Sequence, residues 1–400
     1  MSRKIKMGMV GGGSGAFIGP VHVMAAQLDN QIELVCGAFS SNPEKSIESG
    51  KSYYLNKNRV YPDYETMFKK ESKLPIGERM DFVTIVTPNY MHFPVQKMAI
   101  EYGFNVMSDK PMTYNLNEAK ELISLVESSD ITFGLTHNYT GYPMVKEARN
   151  RVKNGEIGEI RKIVMEYSQG WLATFLESED NKQASWRTDP NRAGGSCCIG
   201  DIGVHAENLS HYITGLEIDS ICSEFSTFVK GRSLEDDANV LIRYQNGAKG
   251  ILISSQISVD EENRLNIRIY GSKGGLEWDQ QEPNTLILKH LNSPREYIKT
   301  GANYGNSRLS NEAIMSARLP AGHPEGYLEG FAVLYRNFAK VLKSKLDGKK
   351  PEKKFLDFPN HYDGYRGMSF IEACISSSNS KNRWTKPKYL NKWLREKQYE

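Results

Sequence analysis

The sequence predicts an α/β protein in two parts: an N-terminal doubly wound parallel sheet over residues 1–138, and a C-terminal α+β domain over residues 139–400 with an open, mainly antiparallel sheet. Three observations carry this. Apolar runs of strand length alternate with helical periodicity from Lys4 to Leu135, which implies parallel strands joined by crossover helices. A Gly-rich turn links the first strand to the first helix. Beyond about residue 160, strands follow one another through short turns, the pattern of an antiparallel sheet.

In order, Lys4–Val10 is a short apolar strand, Gly11-Gly12-Gly13-Ser14-Gly15 a turn, Ile18–Leu28 a helix and Ile32–Phe39 a second strand. Tyr61–Lys69 reads as a turn and short helix. Met80–Thr87 is a β-branched strand, Phe93–Tyr102 a helix, Phe104–Met107 a strand, Leu116–Ser128 a helix and Thr132–Leu135 a strand. In the second part, Lys162–Gln169, Ser220–Lys230, Ala238–Tyr244, Ala248–Ser258, Arg264–Tyr270 and Gly274–Asp279 are strands, with turn signals such as Gln245-Asn246-Gly247 between them. Gly330–Leu346 and Gly367–Ser378 are helices that can pack back on the first domain. Asn292–Leu319 is long and weakly patterned, a candidate lid or binding loop.

Composition bounds the function classes. Charged residues make up 25% of the 400 and hydrophobic ones 39%, ordinary for a globular protein. A net charge of +3, evenly spread, gives no footprint for nucleic acid or an anionic membrane. The basic stretches Lys349–Lys354 and Lys386–Lys397 read as solvated surface. Five scattered cysteines, none in a C-x-x-C pair, suggest reduced thiols in the cytoplasm and no metal framework. Met1–Met7 is basic but runs into the Gly turn, so no signal peptide is expected, and no apolar run reaches membrane-spanning length.

The Gly turn sits where a dinucleotide would bind. Backbone N–H groups at such a turn, and at the helix N-terminus after it, hold a pyrophosphate. Gly11 permits the tight turn, Gly13 permits close approach of the phosphates, and Ser14 lies beside them. Gly19 follows Gly13 by six residues, so the usual spacing fails and Ala16 is expected to take the third small position. The second strand ends in Ser40-Ser41-Asn42, with no acid for a ribose 2′-hydroxyl and no Arg for a 2′-phosphate. Ser40 and Ser41 can bond either, while nearby Glu44 opposes a phosphate. The cofactor is therefore NAD or NADP, with a lean to NAD.

Two further segments carry chemistry. Val106-Met107-Ser108-Asp109-Lys110-Pro111 joins a strand to a helix, and the Pro fixes the backbone so that Lys110 is aimed from a stiff strand end. Ligands of open α/β sheets bind outside the carboxyl ends of strands, where Thr87, Pro88, Asn89, Lys110, His137 and Asn138 also fall. The plainer reading of Lys110 is an ordinary surface lysine in a turn. In the second part, Ile199 opens a helix to Tyr212 that puts Asp201 and His205, four residues apart, on one face. A carboxylate beside an imidazole is a proton-moving pair near neutral pH, which oxidation of a carbinol requires. Metal binding by Asp201, His205, Glu207 and His211 is disfavoured, because the ligands do not share a face. A purely structural Asp–His pair is the other alternative, and Cys197 and Cys198 read as small packing residues.

With the Gly turn, Thr87-Pro88-Asn89 with His92, Lys110-Pro111, and Gly200-Asp201-Ile202-Gly203-Val204-His205, the chain resembles the Gfo/Idh/MocA oxidoreductases from about Ile5 to Lys289. The resemblance implies an N-terminal Rossmann domain, a C-terminal sheet that forms homodimers or homotetramers, and hydride transfer between nicotinamide and a secondary alcohol of a sugar or cyclitol. It implies that Lys110 bonds the nicotinamide ribose and the reacting hydroxyl, that Asp201 binds substrate and that His205 is the acid/base. Thr87, Asn89, His92 and Asp109 would line the cofactor cleft, Trp186 and Arg187 would lie against the cofactor, and Asn138 and Tyr139 would meet substrate. There are departures. Asp109 replaces the usual Glu, the Gly turn is longer, and Asn138-Tyr139-Thr140 lacks the family's frequent Arg, which points to a neutral substrate. A glycosidase that retains NAD and oxidises transiently is the rival enzyme reading. A ligand sensor is the non-enzyme reading, against which the joint presence of Lys110, Asp201 and His205 speaks.

Overall fold

Both faces of a parallel sheet are covered by helices, so its strands are apolar throughout. The first five strands fit this. β1 (Ile5–Gly11), β2 (Ile32–Ala38), β3 (Phe82–Val86), β4 (Asn105–Ser108) and β5 (Phe133–Leu135) form one sheet in the order β2-β1-β3-β4-β5, with every pair parallel. Between them run α1 (Ile18–Leu28), α2 (Pro43–Ser52), α3 (Tyr64–Glu71), α4 (His92–Glu101) and α5 (Leu116–Glu127). Three of these start on a capping side chain: Asn42 accepts from Lys45 N–H, Asp63 from Thr66 N–H, and Asn115 from Asn117 and Glu118 N–H. The structure, a computed structural model, describes residues 3–179, 181–303 and 309–389.

Register decides which residues gather at the carboxyl edge. Gly11 pairs with Val86, Ile85 with Ser108, and Ser108 with Leu135. The residues that follow each strand, from the Gly turn through Thr87 and Asp109-Lys110 to Thr136–Asn138, therefore emerge along one line.

The second sheet follows α6 (Pro143–Lys153) and is interrupted after β6 (Ile160–Ser168) by α7 (Lys182–Arg187), α8 (Pro190–Ala193), a π-turn at Ile199–Gly203, and α9 (Val204–Thr214). β7 (Ile218–Ser226), β8 (Asp237–Tyr244), β9 (Lys249–Ser255), β10 (Arg264–Gly271), β11 (Gly274–Asp279), β12 (Thr285–His290) and β13 (Glu296–Lys299) complete it. The order is β13-β12-β11-β10-β6-β9-β8-β7, antiparallel except for β6 with β9. Strict alternation marks β8, where Ala238, Val240, Ile242 and Tyr244 point inward.

The connection expected to be unpatterned is more ordered than its sequence suggested: Asn292–Leu319 contains β13 and α10 (Asn311–Ser316), while residues 304–308 lie outside the described residues. Met1, Ser2 and the 390–397 part of the C-terminal basic patch also lie outside them.

α11 (Tyr327–Leu346) and α12 (His361–Ser378) close the chain. It divides into two compact units, Met1–Asn138 with Tyr327–Tyr365, and Tyr139–Gly326 with the chain from Arg366. α11 thus belongs with the first sheet. Its Phe331, Leu334, Tyr335 and Phe338 share one core with Ile5, Met7, Met9 and Phe82. Among the described residues no helix is long and apolar enough to cross a membrane.

Candidate active site

In the first unit the Gly turn is built by backbone needs. Gly11 and Gly12 have φ of +84° and +70°, conformations that side chains rarely adopt. A Cβ on Gly12 would stand 2.8 Å from the Cα of Gly19. Gly19, not Ala16, is thus the small residue that lets helix and strand close up. Ala16 stays in the turn, its N–H donating to Gly13 O at 2.9 Å. Gly13 has a packing role as well. Its N–H donates to Phe39 O at 3.1 Å, and a Cβ there would meet Phe39 and Ser49, so Gly13 is required by the protein's own packing. The Ser14 N–H donates to Ser49 Oγ at 2.9 Å. Ser40 and Ser41 follow β2, and Ser40 Oγ accepts from Asn42 N–H at 3.1 Å.

Two observations test whether a dinucleotide fits. α1 has neither a side-chain cap nor an acid in its first turn, so no side chain of its own first turn opposes its N-terminal dipole. Across the strand edge, Thr87 Oγ1 is buried without a hydrogen-bond partner, so it keeps its full capacity to bond a ligand. Both observations suit an anionic, hydroxylated cofactor.

The strand end at Lys110 is braced from three sides. Asp109 Oδ1 accepts from Lys110 N–H at 2.8 Å and from Thr136 Oγ1 at 2.9 Å. Its Oδ2 lies 3.9 Å from His22 Nε2, and His22 Nδ1 meets the hydroxyl of Tyr335 on α11 at 2.7 Å. Burial alone would raise the Asp109 pKa, but His22, Lys110 and His92 hold it well below the ordinary carboxylate range. The nitrogens of His92 lie 2.7 and 2.8 Å from the carbonyl oxygens of Pro111 and Thr87, tying two strand ends together. Gln96 adds a third tie, donating to Ser108 Oγ and Met112 O, each at 2.8 Å. Asn89 is buried in the turn after Thr87, and Asn138 is buried at the end of the unit with Nδ2 unpartnered.

The second unit brings together Asp201, His205, Arg187, Trp186 and Tyr139. Asp201 lies in the π-turn, whose wider winding departs from the α-helical spacing expected between it and His205. Its Oδ2 accepts from Gln256 Nε2 at 2.9 Å and lies 3.3 Å from Arg187 Nε. The Arg187 guanidinium stacks 4.2 Å over the Trp186 ring. His205, on the first turn of α9, is 7% exposed and meets the Tyr139 ring edge-on at 5.0 Å.

Around it runs a polar chain that sequence reading did not find. The hydroxyls of Tyr139 and Tyr167 meet at 2.6 Å, Tyr167 donates to Asn263 Oδ1 at 2.8 Å, Gln169 donates to the same oxygen at 2.6 Å, and Trp171 donates to Gln169 at 3.0 Å. Burial pushes the thiols of Cys197 and Cys198 well up, which makes them inert packing groups. Among the described residues no cluster of three His, Cys, Asp or Glu is placed to hold a metal.

Comparison with known proteins agrees with both halves. Residues 5–137 match the oxidoreductase family model with an NAD-binding Rossmann fold, and residues 145–277 match the GFO/IDH/MocA C-terminal domain. The uncharacterized oxidoreductase YfiI of Bacillus subtilis is 32% identical over 96% of this chain and 97% of its own. A crystal structure of an inositol dehydrogenase homologue from Azotobacter vinelandii in complex with NAD+ superposes with a TM-score of 0.90 at 32% identity, over 96% of this chain and 98% of that one. The same homologue is known with NADH and myo-inositol (TM-score 0.88, 31% identity, 96% and 98% coverage). An oxidoreductase from Sinorhizobium meliloti is 42% identical with a TM-score of 0.86, over 96% of this chain and 100% of that one. With its nucleotide-binding sheet, its second sheet and these relatives, the chain belongs to the Gfo/Idh/MocA family of NAD-dependent oxidoreductases.

Proposed function

We propose that the protein is an NAD-dependent dehydrogenase acting on a secondary alcohol of a neutral polyhydroxylated substrate: a sugar, anhydrosugar or cyclitol. The observation that carries this is the Asp201–Arg187 pair at 3.3 Å, one π-turn before His205. A carboxylate and a guanidinium side by side sum to no net charge while offering both an acceptor and donors. That combination suits adjacent hydroxyls better than a phosphate or a carboxylate. The pair also supplies the cation that Asn138-Tyr139-Thr140 lacks, but in compensated form. The myo-inositol complex of the Azotobacter homologue supports the same class.

In this reading the Gly11–Ser14 turn, Ala16, Ser40, Ser41, Thr87, Asn89 and Asp109 hold or shape the nucleotide site, and Trp186 and Arg187 border it. Bound nicotinamide supplies the hydride acceptor. His205 takes the hydroxyl proton, Lys110 polarises the reacting oxygen and bonds the cofactor ribose, and Asp201 accepts from a neighbouring hydroxyl, with Asn138 and Tyr139 completing the substrate contacts. NAD is preferred to NADP, in keeping with the NAD+ complex of the homologue and with Glu44 near the expected 2′ position. The outward face of the second sheet, where Leu241 is half exposed and Ile251, Ile253 and Ile287 are partly so, serves as a homodimer or homotetramer interface. The unpaired cysteines fit a cytoplasmic location.

The test is nicotinamide absorbance with NAD and with NADP against a panel of inositols, aldoses, anhydrosugars and glycosides. Net reduction with one polyol supports the reading. Sugar release from a glycoside without net reduction, or cofactor binding without either, overturns it. His205→Ala should lower kcat by about 10²–10⁴-fold with cofactor affinity unchanged, and survival of activity within a few-fold refutes the acid/base role.

A further inference from the structure

Gln256 follows β9 and is fully buried. Its backbone is pinned on both sides: its N–H donates to Asp236 O at 2.9 Å, and its carbonyl accepts from Leu172 N–H at 3.0 Å. The side chain is fixed as firmly. Cys197 Sγ–H donates to Oε1 at 3.3 Å, and Nε2 donates to Asp201 Oδ2 at 2.9 Å. Turning the amide over would set Oε1 against a carboxylate oxygen, two acceptors in contact, so the electrostatics permit one orientation. The segment bearing Asp201 is held from its other end by Glu235. That carboxylate accepts from Ser196 Oγ and Ile199 N–H with Oε1, and from Cys197 N–H with Oε2. Glu235 fixes the backbone of the π-turn, while Gln256 reaches the functional carboxylate itself.

We infer that Gln256 is a positioning residue for Asp201: its buried amide N–H sets the carboxylate's orientation toward substrate and helps keep it ionised, with Cys197 setting the amide. The inference rests on the reading of Asp201 as the substrate anchor. A hydrogen bond to a charged group contributes about 1.5–3 kcal/mol. Losing it from the bound substrate's partner should therefore raise KM about tenfold or more, with no change in cofactor binding.

The experiment compares Gln256→Leu, Gln256→Glu and Asp201→Asn in the full chain. Myo-inositol with NAD is the probe, or whichever polyol of the panel gives the highest kcat/KM. NADH affinity and thermal unfolding are measured alongside. Gln256→Glu keeps the volume but sets a second carboxylate against Asp201. It should raise KM about tenfold or more at pH 8 and recover toward pH 6, where the pair shares a proton. Gln256→Leu should raise KM without that recovery. NADH affinity should stay within twofold in both.

A measurement independent of turnover is the 13C titration of Asp carboxyl carbons, with Asp201 assigned by its loss in Asp201→Asn; its midpoint should rise in Gln256→Leu. If Asp201→Asn raises KM while both Gln256 variants leave KM and the Asp201 titration unchanged, Gln256 is a packing residue and the inference fails. If Asp201→Asn itself leaves KM unchanged, the substrate-anchor reading fails, and the inference with it.

Discussion

Gly12 and Gly19 meet backbone to backbone: a Cβ on Gly12 would stand 2.8 Å from the Gly19 Cα, and one on Gly19 would run into the Gly12 main chain. Neither side has a flexible tip that could yield. Gly19→Ala should therefore push α1 off β1 and cost about 1–3 kcal/mol, measured by denaturant unfolding, and it should weaken NAD binding because the helix N-terminus moves. Wild-type stability together with wild-type NAD affinity would refute this account of the long turn.

Thr87 Oγ1 is buried with no partner. Replacing it by Val removes an unsatisfied hydroxyl at almost constant shape, so the apo protein should be as stable as before or more so. If the hydroxyl waits for the cofactor, NAD affinity should fall about fivefold, the equivalent of about one neutral hydrogen bond. Fluorescence titration with NADH decides it, and unchanged affinity removes Thr87 from the cofactor set.

Arg187 is stacked on Trp186 and set against Asp201. Arg187→Met leaves the Asp201 charge uncompensated by that cation. KM for a neutral polyol should rise about tenfold, and an amino-substituted polyol should be accepted better than by the wild type. Arg187→Lys should not restore the neutral substrate, because a point charge cannot reproduce the flat stacked fork. Full rescue by Lys would reduce the pair to simple charge.

His137 is buried and His361 partly so, and desolvation, the largest cause in each, pulls both imidazole pKa values from 6.5 down to about 4. The unfolded chain then binds more protons than the fold between pH 6.5 and about 4. Stability falls as pH drops through that window, and the loss is complete below it, by up to about 3 kcal/mol per group. His361 packs edge-on against Phe133. His361→Phe keeps an aromatic ring there, and its unfolding free energy should fall less steeply over this pH range. An unchanged slope would mean that His361 stays charged in the fold.

The alternation of strand and helix was legible from periodicity, because a parallel sheet covered on both faces must read as apolar runs. Lys110, Asp201 and His205 stood out because their neighbours are unusual: a Pro, and a Gly-rich stretch. Other residues carried no such mark. Gln256, Asn263 and Gln169 are single amides at strand ends; the register of β6 and β10 brings Gln169 to Asn263, and only the fold of the π-turn segment against the end of β9 brings Asp201 to Gln256. Gly19 was set aside because the spacing rule favoured Ala16; the three-dimensional approach of α1 to the turn decides otherwise. The π-turn at Asp201 was likewise invisible, since i,i+4 spacing is read as α-helical by default. β12 and β13 were missed because their outward residues, such as Lys289 and Glu296, dilute the pattern at the edge of the sheet.

The return of Tyr327–Tyr365 to the first unit has a consequence for synthesis. As the chain leaves the ribosome, the nucleotide-binding sheet is fully translated once Leu135 appears, yet the helix carrying Phe331, Leu334, Tyr335 and Phe338 is about two hundred residues away. Until it arrives, Ile5, Met7 and Phe82 lack the aromatic side chains that cover them in the fold. The nascent N-terminal segment therefore waits with an apolar surface open, a natural client for a ribosome-associated chaperone. A fragment ending at Asn138 inherits that exposure permanently, so cutting at the apparent domain boundary should yield an aggregating product.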